Sequence, residues 1–279
     1  MLKTVKPRVW RIILFICLCL LFALTLGALS APATMRLPEA SGETVYEKNG
    51  AHVDASNTDQ GYFMANCPGD KTAMIVAAGK GKLQYFFRDG SLETFPLQMG
   101  DGTYKLQIVE QVSGNKYAAK MAQDIKVKLT DESLPFLYPN QYVNYKADSK
   151  AVALSEELCA DVTSDADKLD IIFQYVSTNL TYDYDKAKLV QNKDKSMTNY
   201  LPVIDDVLDK KTGICFDYSA LMACMLRVQG IPTRLVIGYA DKIYHAWNLV
   251  LVDGTWTRYD ATFESTGATV KKYTDNFYY

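Results

Sequence analysis

Three residue types in the C-terminal third of this 279-residue chain could together perform nucleophilic chemistry: Cys215, His245 and Asp260. A thiol attacks a carbonyl only as thiolate, so it needs a proton acceptor and a positive electrostatic setting. An imidazole supplies the acceptor, and a carboxylate on its far ring nitrogen fixes tautomer and orientation. His245 is the only histidine after residue 52, so a Cys/His mechanism in this part of the chain has a single candidate base.

The elements around these residues must place them together. Thr212-Gly213-Ile214-Cys215 opens a run in which Tyr218, Leu221, Met222, Met225 and Leu226 recur at helical spacing, and Gly230-Ile231-Pro232 closes it. Cys215 therefore falls in the first turn of a helix, where the positive end of the dipole and unpaired N–H groups favour thiolate. Gly213 would let another backbone or a substrate approach the sulfur. Cys159 and Cys224 read as small core residues. Nine residues separate Cys215 from Cys224, which puts them on opposite helix faces and forbids a bridge, while a Cys67–Cys159 pair is left open.

Tyr244 to Val252 reads as a strand, Asp253-Gly254 as a two-residue hairpin turn, and Thr255 to Asp260 as the returning strand. That register sets Val252 opposite Thr255, Trp247 opposite Asp260 and His245 opposite Thr262. His245, Trp247 and Asp260 then share one face, with His245 and Asp260 as diagonal neighbours.

Four blocks in this order, Gly213-Ile214-Cys215, Leu226-Arg227-Val228-Gln229-Gly230-Ile231-Pro232, His245-Ala246-Trp247 and Trp256-Thr257-Arg258-Tyr259-Asp260-Ala261-Thr262, resemble the core of the transglutaminase-like superfamily. The resemblance covers roughly residues 165 to 265. It implies a papain-like α+β fold with a nucleophile helix packed on an antiparallel sheet. It also implies Cys215 as nucleophile, His245 as general acid and base, and Asp260 as the histidine's partner. Ala261 departs from the pattern, since many members carry proline there, but no reacting group is lost. For the oxyanion, the Cys215 N–H is the first donor, and the second is open between Tyr182, Tyr200 and another upstream side chain.

The expected fold class is α+β, with this core at residues 151–279, a connecting segment at 132–150 and a small β-sandwich-like domain at 40–131. The sandwich rests on period-two runs such as Tyr104/Leu106/Ile108 and Ile125/Val127/Leu129, divided by turn signals at Asp89-Gly90, Asp101-Gly102 and Ser113-Gly114-Asn115. Phe136, Leu137, Tyr138 and Tyr142 make the connecting segment too apolar for a free linker. Leu169, Ile172, Phe173 and Val176 predict a helix that ends about Leu180, and the polar stretch 183–201 reads as a surface loop, with a flap over a cleft as the sharper reading.

Residues 1–33 read as an N-terminal signal or anchor: Lys3, Lys6, Arg8 and Arg11 precede an uncharged run from Ile12. Small residues at Ala28/Ser30 or Ala31/Ala33 suit cleavage, and the run's extent to Leu29 reaches the length of an uncleaved membrane anchor. Either way the remainder is expected outside the membrane, secreted or held on the outer face of the cytoplasmic membrane of a bacterium. A formal net charge of −2, with Lys and Arg spread along the chain after the N-terminus rather than clustered, gives no case for nucleic acid. His52 reads as a surface histidine, and one histidine with scattered carboxylates is too few ligands for a metal in the C-terminal part, so no metal or cofactor is expected. The expected substrate is a protein, a peptide or a cell-wall peptide, attacked through a thioester. Hydrolysis is favoured over cross-linking amine transfer, and a non-catalytic surface binding protein is the reading from a different class.

Overall fold

Alternation of apolar and polar residues accounts for most of the N-terminal strands in the computed structural model, which describes residues 34–69 and 71–279. The export-signal reading concerns residues 1–33 and lies outside the described residues. Two four-stranded antiparallel sheets form here. One has the order β1 (Val45–Lys48), β2 (Ala51–Asp54), β3 (Tyr62–Asn66), β6 (Glu93–Pro96). The other has the order β5 (Gly81–Phe86), β4 (Thr72–Ala78), β7 (Gly102–Ser113), β8 (Lys116–Val127). Val53, Phe63 and Phe95 of the first sheet and Met74, Leu106 and Ile108 of the second are buried in one core. Across the gap Phe95 meets Tyr85 edge-to-face with centroids 5.0 Å apart. Strands β1, β2 and β6 are short and were not apparent in the pattern. His52 on β2 places Nδ1 3.0 Å from Glu47 Oε1, a surface contact.

The segment after β8 is packed, as its apolar content requires. Leu134–Phe136 make a buried 3-10 turn, Leu137 and Tyr138 are buried beside it, and Val143 and Tyr145 enter the main core. Helices α1 (Lys150–Cys159) and α2 (Asp165–Asn179) follow, the latter capped by the Ser164 hydroxyl accepting from the Asp167 N–H.

Next come β9 (Thr181–Tyr182), α3 (Tyr184–Gln191), α4 (Ile204–Lys210) and β10 (Thr212–Gly213), leading into α5 (Cys215–Val228). Every residue of α5 from Asp217 to Val228 is buried, so this helix is the axis of the C-terminal half. It packs against α1, α2 and α4 and against the antiparallel sheet β13 (Thr255–Tyr259), β12 (Ile243–Val252), β11 (Thr233–Ala240), β14 (Tyr273–Tyr278). A helix on an antiparallel sheet is the α+β arrangement expected. Short helix α6 (Ala261–Thr266) links β13 to β14.

The hairpin register holds over its strand. Val252 pairs with Thr255 and Asn248 with Tyr259, and the turn residues Asp253 and Gly254 have φ of 52° and 74°, both left-handed. Beyond Tyr259 the ladder stops, so the expected pairings of Trp247 with Asp260 and His245 with Thr262 do not form. Asp260 instead caps α6, its Oδ1 accepting from the Phe263 N–H at 3.1 Å. The stretch 183–201, read as a loop, contains α3 and a 3-10 turn at Lys195–Met197.

Candidate active site

Cys215 is the first residue of α5, and Tyr218 is the first whose N–H closes the helical ladder, onto the Ile214 carbonyl at 3.1 Å. The N–H groups of the first turn point out of the helix end beside the sulfur. Cys215 is partly exposed, whereas Cys67, Cys159 and Cys224 are buried, and all four are free thiols.

His245 lies on the central strand β12 opposite Gly238 of β11, and only 3% of its surface is exposed. Its Nε2 is 2.8 Å from Asp260 Oδ2, which leaves Nδ1 for the sulfur. The imidazole stacks on Phe263 with centroids 4.2 Å apart and planes 10° from parallel. Burial works against the imidazolium, but hydrogen bonds to Asp260 and to the Cys215 sulfur, with their charges, outweigh it and raise the His245 pKa to about 9. Asp260 does three things at once: it holds the imidazole, accepts from the Tyr273 hydroxyl at 2.9 Å and caps α6. The structure thus brings Cys215, His245 and Asp260 together. Asp260 arrives from a helix cap rather than from a ladder position.

Gly213 and Gly238 make close approaches possible. A Cβ on Gly238 would stand 2.1 Å from the Thr274 carbonyl oxygen and 2.8 Å from the Trp247 ring, so only glycine lets β14 and Trp247 close over this part of β11. A Cβ on Gly213 would stand 2.5 Å from the Asp217 Cβ. The neighbour that Gly213 admits is therefore Asp217, not a substrate.

Asp217 was not singled out by pattern, yet it organises the helix start. It is fully buried, and its Oδ2 accepts from the Ile214 N–H at 2.8 Å and from Lys186 Nζ at 2.6 Å. Its other oxygen accepts from the Tyr200 hydroxyl, and Lys186 also lies 4.1 Å over the Tyr200 ring. These bonds fasten α3 and the segment after it to the nucleophile turn. The only sequence signal was Asp217 itself, a charge on an otherwise apolar helix face. Lys186 and Tyr200 lie 31 and 17 residues away in the chain. Phe263 and Tyr273 were likewise missed, because nothing local marks a ring that will stack on an imidazole or a phenol that will meet a carboxylate.

The same bonds bear on the oxyanion donors. Tyr200 spends its hydroxyl on Asp217, and its phenol is pushed up by burial and by that carboxylate. Tyr182 is held by β9 beside Gly213 and lines the cleft with Cys215. Burial and the nearby sulfur raise its phenol, so it stays protonated and able to donate. Two chambers open from the sulfur and the imidazole, of about 620 and 320 Å³, sharing Val190, Ile214 and Tyr244 as walls. A separate cavity of about 420 Å³, lined by Arg88, Glu93 and Asn140 among others, has neither thiol nor imidazole.

Residues 152–261 match the family described as the transglutaminase-like superfamily, a span that contains all three site residues. The match supports a transglutaminase-like core in this part of the chain. Members of that superfamily are typically cysteine-dependent enzymes. The transglutaminase-like core is similar to the kyphoscoliosis peptidase of Mus musculus, 27% identical over 143 residues, covering 45% of this chain and 21% of that protein. It is also similar to the uncharacterized protein YebA of Bacillus subtilis, 25% identical over 136 residues, covering 48% of this chain and 18% of that protein. The matches thus span about a fifth of the length of these relatives. Among solved structures, a protein of Cytophaga hutchinsonii proposed to be a cysteine protease matches with a TM-score of 0.40 and 18% identity, over 72% of this chain and 71% of that one.

Proposed function

We propose that this protein is an extracytoplasmic cysteine enzyme that breaks amide bonds in peptides, proteins or cell-wall peptides through a thioester, with water as the usual acceptor. The observation that carries the reading is His245 held at 2.8 Å by Asp260 while its other side meets the sulfur at the start of a buried helix. The Cys215 thiolate attacks the amide carbonyl carbon, and the oxyanion is received by the Cys215 N–H and the Tyr182 hydroxyl. His245, as imidazolium, protonates the leaving amine from Nδ1, and the C–N bond breaks to give the acyl-thioester. His245, now neutral, takes a proton from the water that attacks the thioester, and the C–S bond breaks to release the acid and restore the thiolate beside the imidazolium. Asp260 keeps one tautomer in place throughout. The name of the peptidase among the relatives supports water over an amine as acceptor. The basic, then apolar, N-terminal sequence supports placement outside the cytoplasmic membrane.

The test is turnover of peptide and cell-wall fragments by wild type and Cys215→Ala, with a glutamine donor and a labelled primary amine run in parallel. Free acid release that depends on Cys215 is the expected result. Amine incorporation exceeding hydrolysis would replace the proposal with a cross-linking enzyme, and Cys215-independent behaviour would leave a binding protein. Protease accessibility on intact cells checks the location: digestion of the folded part without lysis is expected.

A further inference from the structure

The two chambers that meet at Cys215 differ in chemistry. The larger one carries both signs of charge, Asp185 and Lys188, at its wall. The smaller one has no Asp, Glu, Lys or Arg among its described lining residues, and Asn199 is its only side-chain amide. Its wall is a connected set of rings. Tyr279 stacks on Tyr142 at 3.6 Å and 11°, Tyr142 lies 5.9 Å from Phe216, and Phe216 meets Tyr200 edge-on at 6.3 Å. The Tyr200 hydroxyl is taken by Asp217 and Lys186, so this ring offers the chamber its carbon surface and not its polar tip. Met197 and Phe277 complete the lining, and Phe277 and Tyr244 leave 38% and 56% of their surface exposed at the mouth. Exposed aromatic area bordering a reactive thiol is free to be covered by an apolar group.

We infer that this aromatic chamber selects the substrate: it takes a bulky uncharged side chain, aromatic or branched aliphatic, borne next to the amide carbonyl that Cys215 attacks. The inference deepens the reading above and rests on it. A volume of about 320 Å³ lies within the range of small-ligand sites and holds such a side chain. Apolar surface is removed from water on both partners, and ring–ring contacts add to that. A lysine or aspartate side chain would leave water for a wall whose only charged groups are the Cys215–His245 pair, already engaged with each other, and a glutamine amide would find too few partners for its donors and acceptors. The chamber therefore separates substrates chiefly by rejecting charge, the kind of difference that reaches one to two orders of magnitude.

Thiol alkylation reads the pocket without needing turnover. The probes are three iodoacetamides, N-benzyl, N-(2-carboxyethyl) and N-(2-aminoethyl). In each the Cys215 sulfur forms a bond to the methylene carbon as iodide leaves. Rates are normalised to those of glutathione with the same probe, and peptide mass spectrometry assigns the adduct to Cys215. The benzyl probe is expected to react at least about tenfold faster than either charged probe. Met197→Glu, a change at a half-buried wall residue on a short exposed turn, is expected to erase that advantage and favour the aminoethyl probe. Phe277→Glu on the exposed edge strand is a second route to the same result should the first variant fold poorly. Equal normalised rates for the three probes, or a benzyl advantage that survives both folded variants, would overturn the inference. A persisting benzyl advantage without any peptide turnover would instead overturn the peptidase reading and leave the pocket standing.

Discussion

The two ends of α5 hold the same kinds of groups and put them to opposite uses. Near its start lie Cys215 and Asp217, and near its end lie Cys224 and Arg227. Asp217 and Arg227 are both fully buried, and each sits at the end of the helix whose dipole favours its charge. Arg227 is satisfied by backbone alone: its guanidinium donates to the backbone oxygens of Thr233, Tyr138 and Tyr279 at 2.7–3.0 Å. Desolvation lowers its pKa to about 10, still leaving it charged at neutral pH. Asp217 is instead satisfied by side chains that arrive from α3 and the segment beyond it. Burial pushes the Cys224 thiol well above the ordinary range, so it is inert, whereas Cys215 faces a cleft and an imidazole. One end is a structural lock and the other the proposed reactive centre, and the residue types alone do not say which is which. Exposure and the neighbours of the first turn do.

The contrast is sharpest in the two thiols. Cys215→Ala is expected to lower kcat/KM by roughly 10⁴-fold or more with an unchanged melting temperature, since removing a nucleophile removes the chemistry and little packing. Cys224→Ala should do the reverse, keeping kcat while costing about 1–2 kcal/mol in urea unfolding, because it empties a closed site.

Asp260→Asn keeps the α6 cap and a hydrogen bond to His245 but loses the charge, and kcat/KM should drop by roughly 10²–10⁴-fold. Its pH profile carries the sharper information. With His245 at about 9, wild-type kcat/KM should fall through an alkaline limb near that pH as the imidazolium that protonates the leaving amine is lost. In the variant that limb should move to lower pH, and an unmoved limb would deny Asp260 its part. The sign for stability follows the raised pKa. The contribution of His245 is full below its ordinary 6.5 and disappears as the pH rises through about 9.

Arg227→Met tests the lock: it strands three buried backbone oxygens and should cost about 3 kcal/mol in urea unfolding. Asp217→Asn tests the other end, where Lys186 keeps 22% of its side chain exposed and can recover some water. A smaller cost of about 2 kcal/mol is expected there, accompanied by a loss in kcat that Arg227→Met does not share. Equal effects of both variants on kcat would remove the distinction between the two ends.

Much of this was legible before any coordinates. The cysteine before a helical apolar stripe, the Gly230-Ile231-Pro232 stop and the Asp253-Gly254 turn are local signals, and α5 and the β12–β13 hairpin form where those signals put them. Asp260 meets His245, although the register argument that pairs them stops one residue short of it. The strand gives way to a helix after Tyr259, and a capping aspartate reaches the imidazole from there. Helix α3 was not legible because none of its residues is fully buried. It is held by the Asp183 cap and by Lys186 reaching Asp217, 31 residues away in the chain.

By itself the sequence determined which groups could react and which short elements carry them, since turns, caps and periodicities depend on neighbours in the chain. Tertiary structure alone decided how Asp217, Lys186, Tyr200 and Phe263 surround the thiol and imidazole, and how rings from separate segments make an aromatic chamber beside them. Those choices rest on contacts between residues far apart in the chain, where burial makes every unpaired polar atom costly and leaves few arrangements that satisfy all of them.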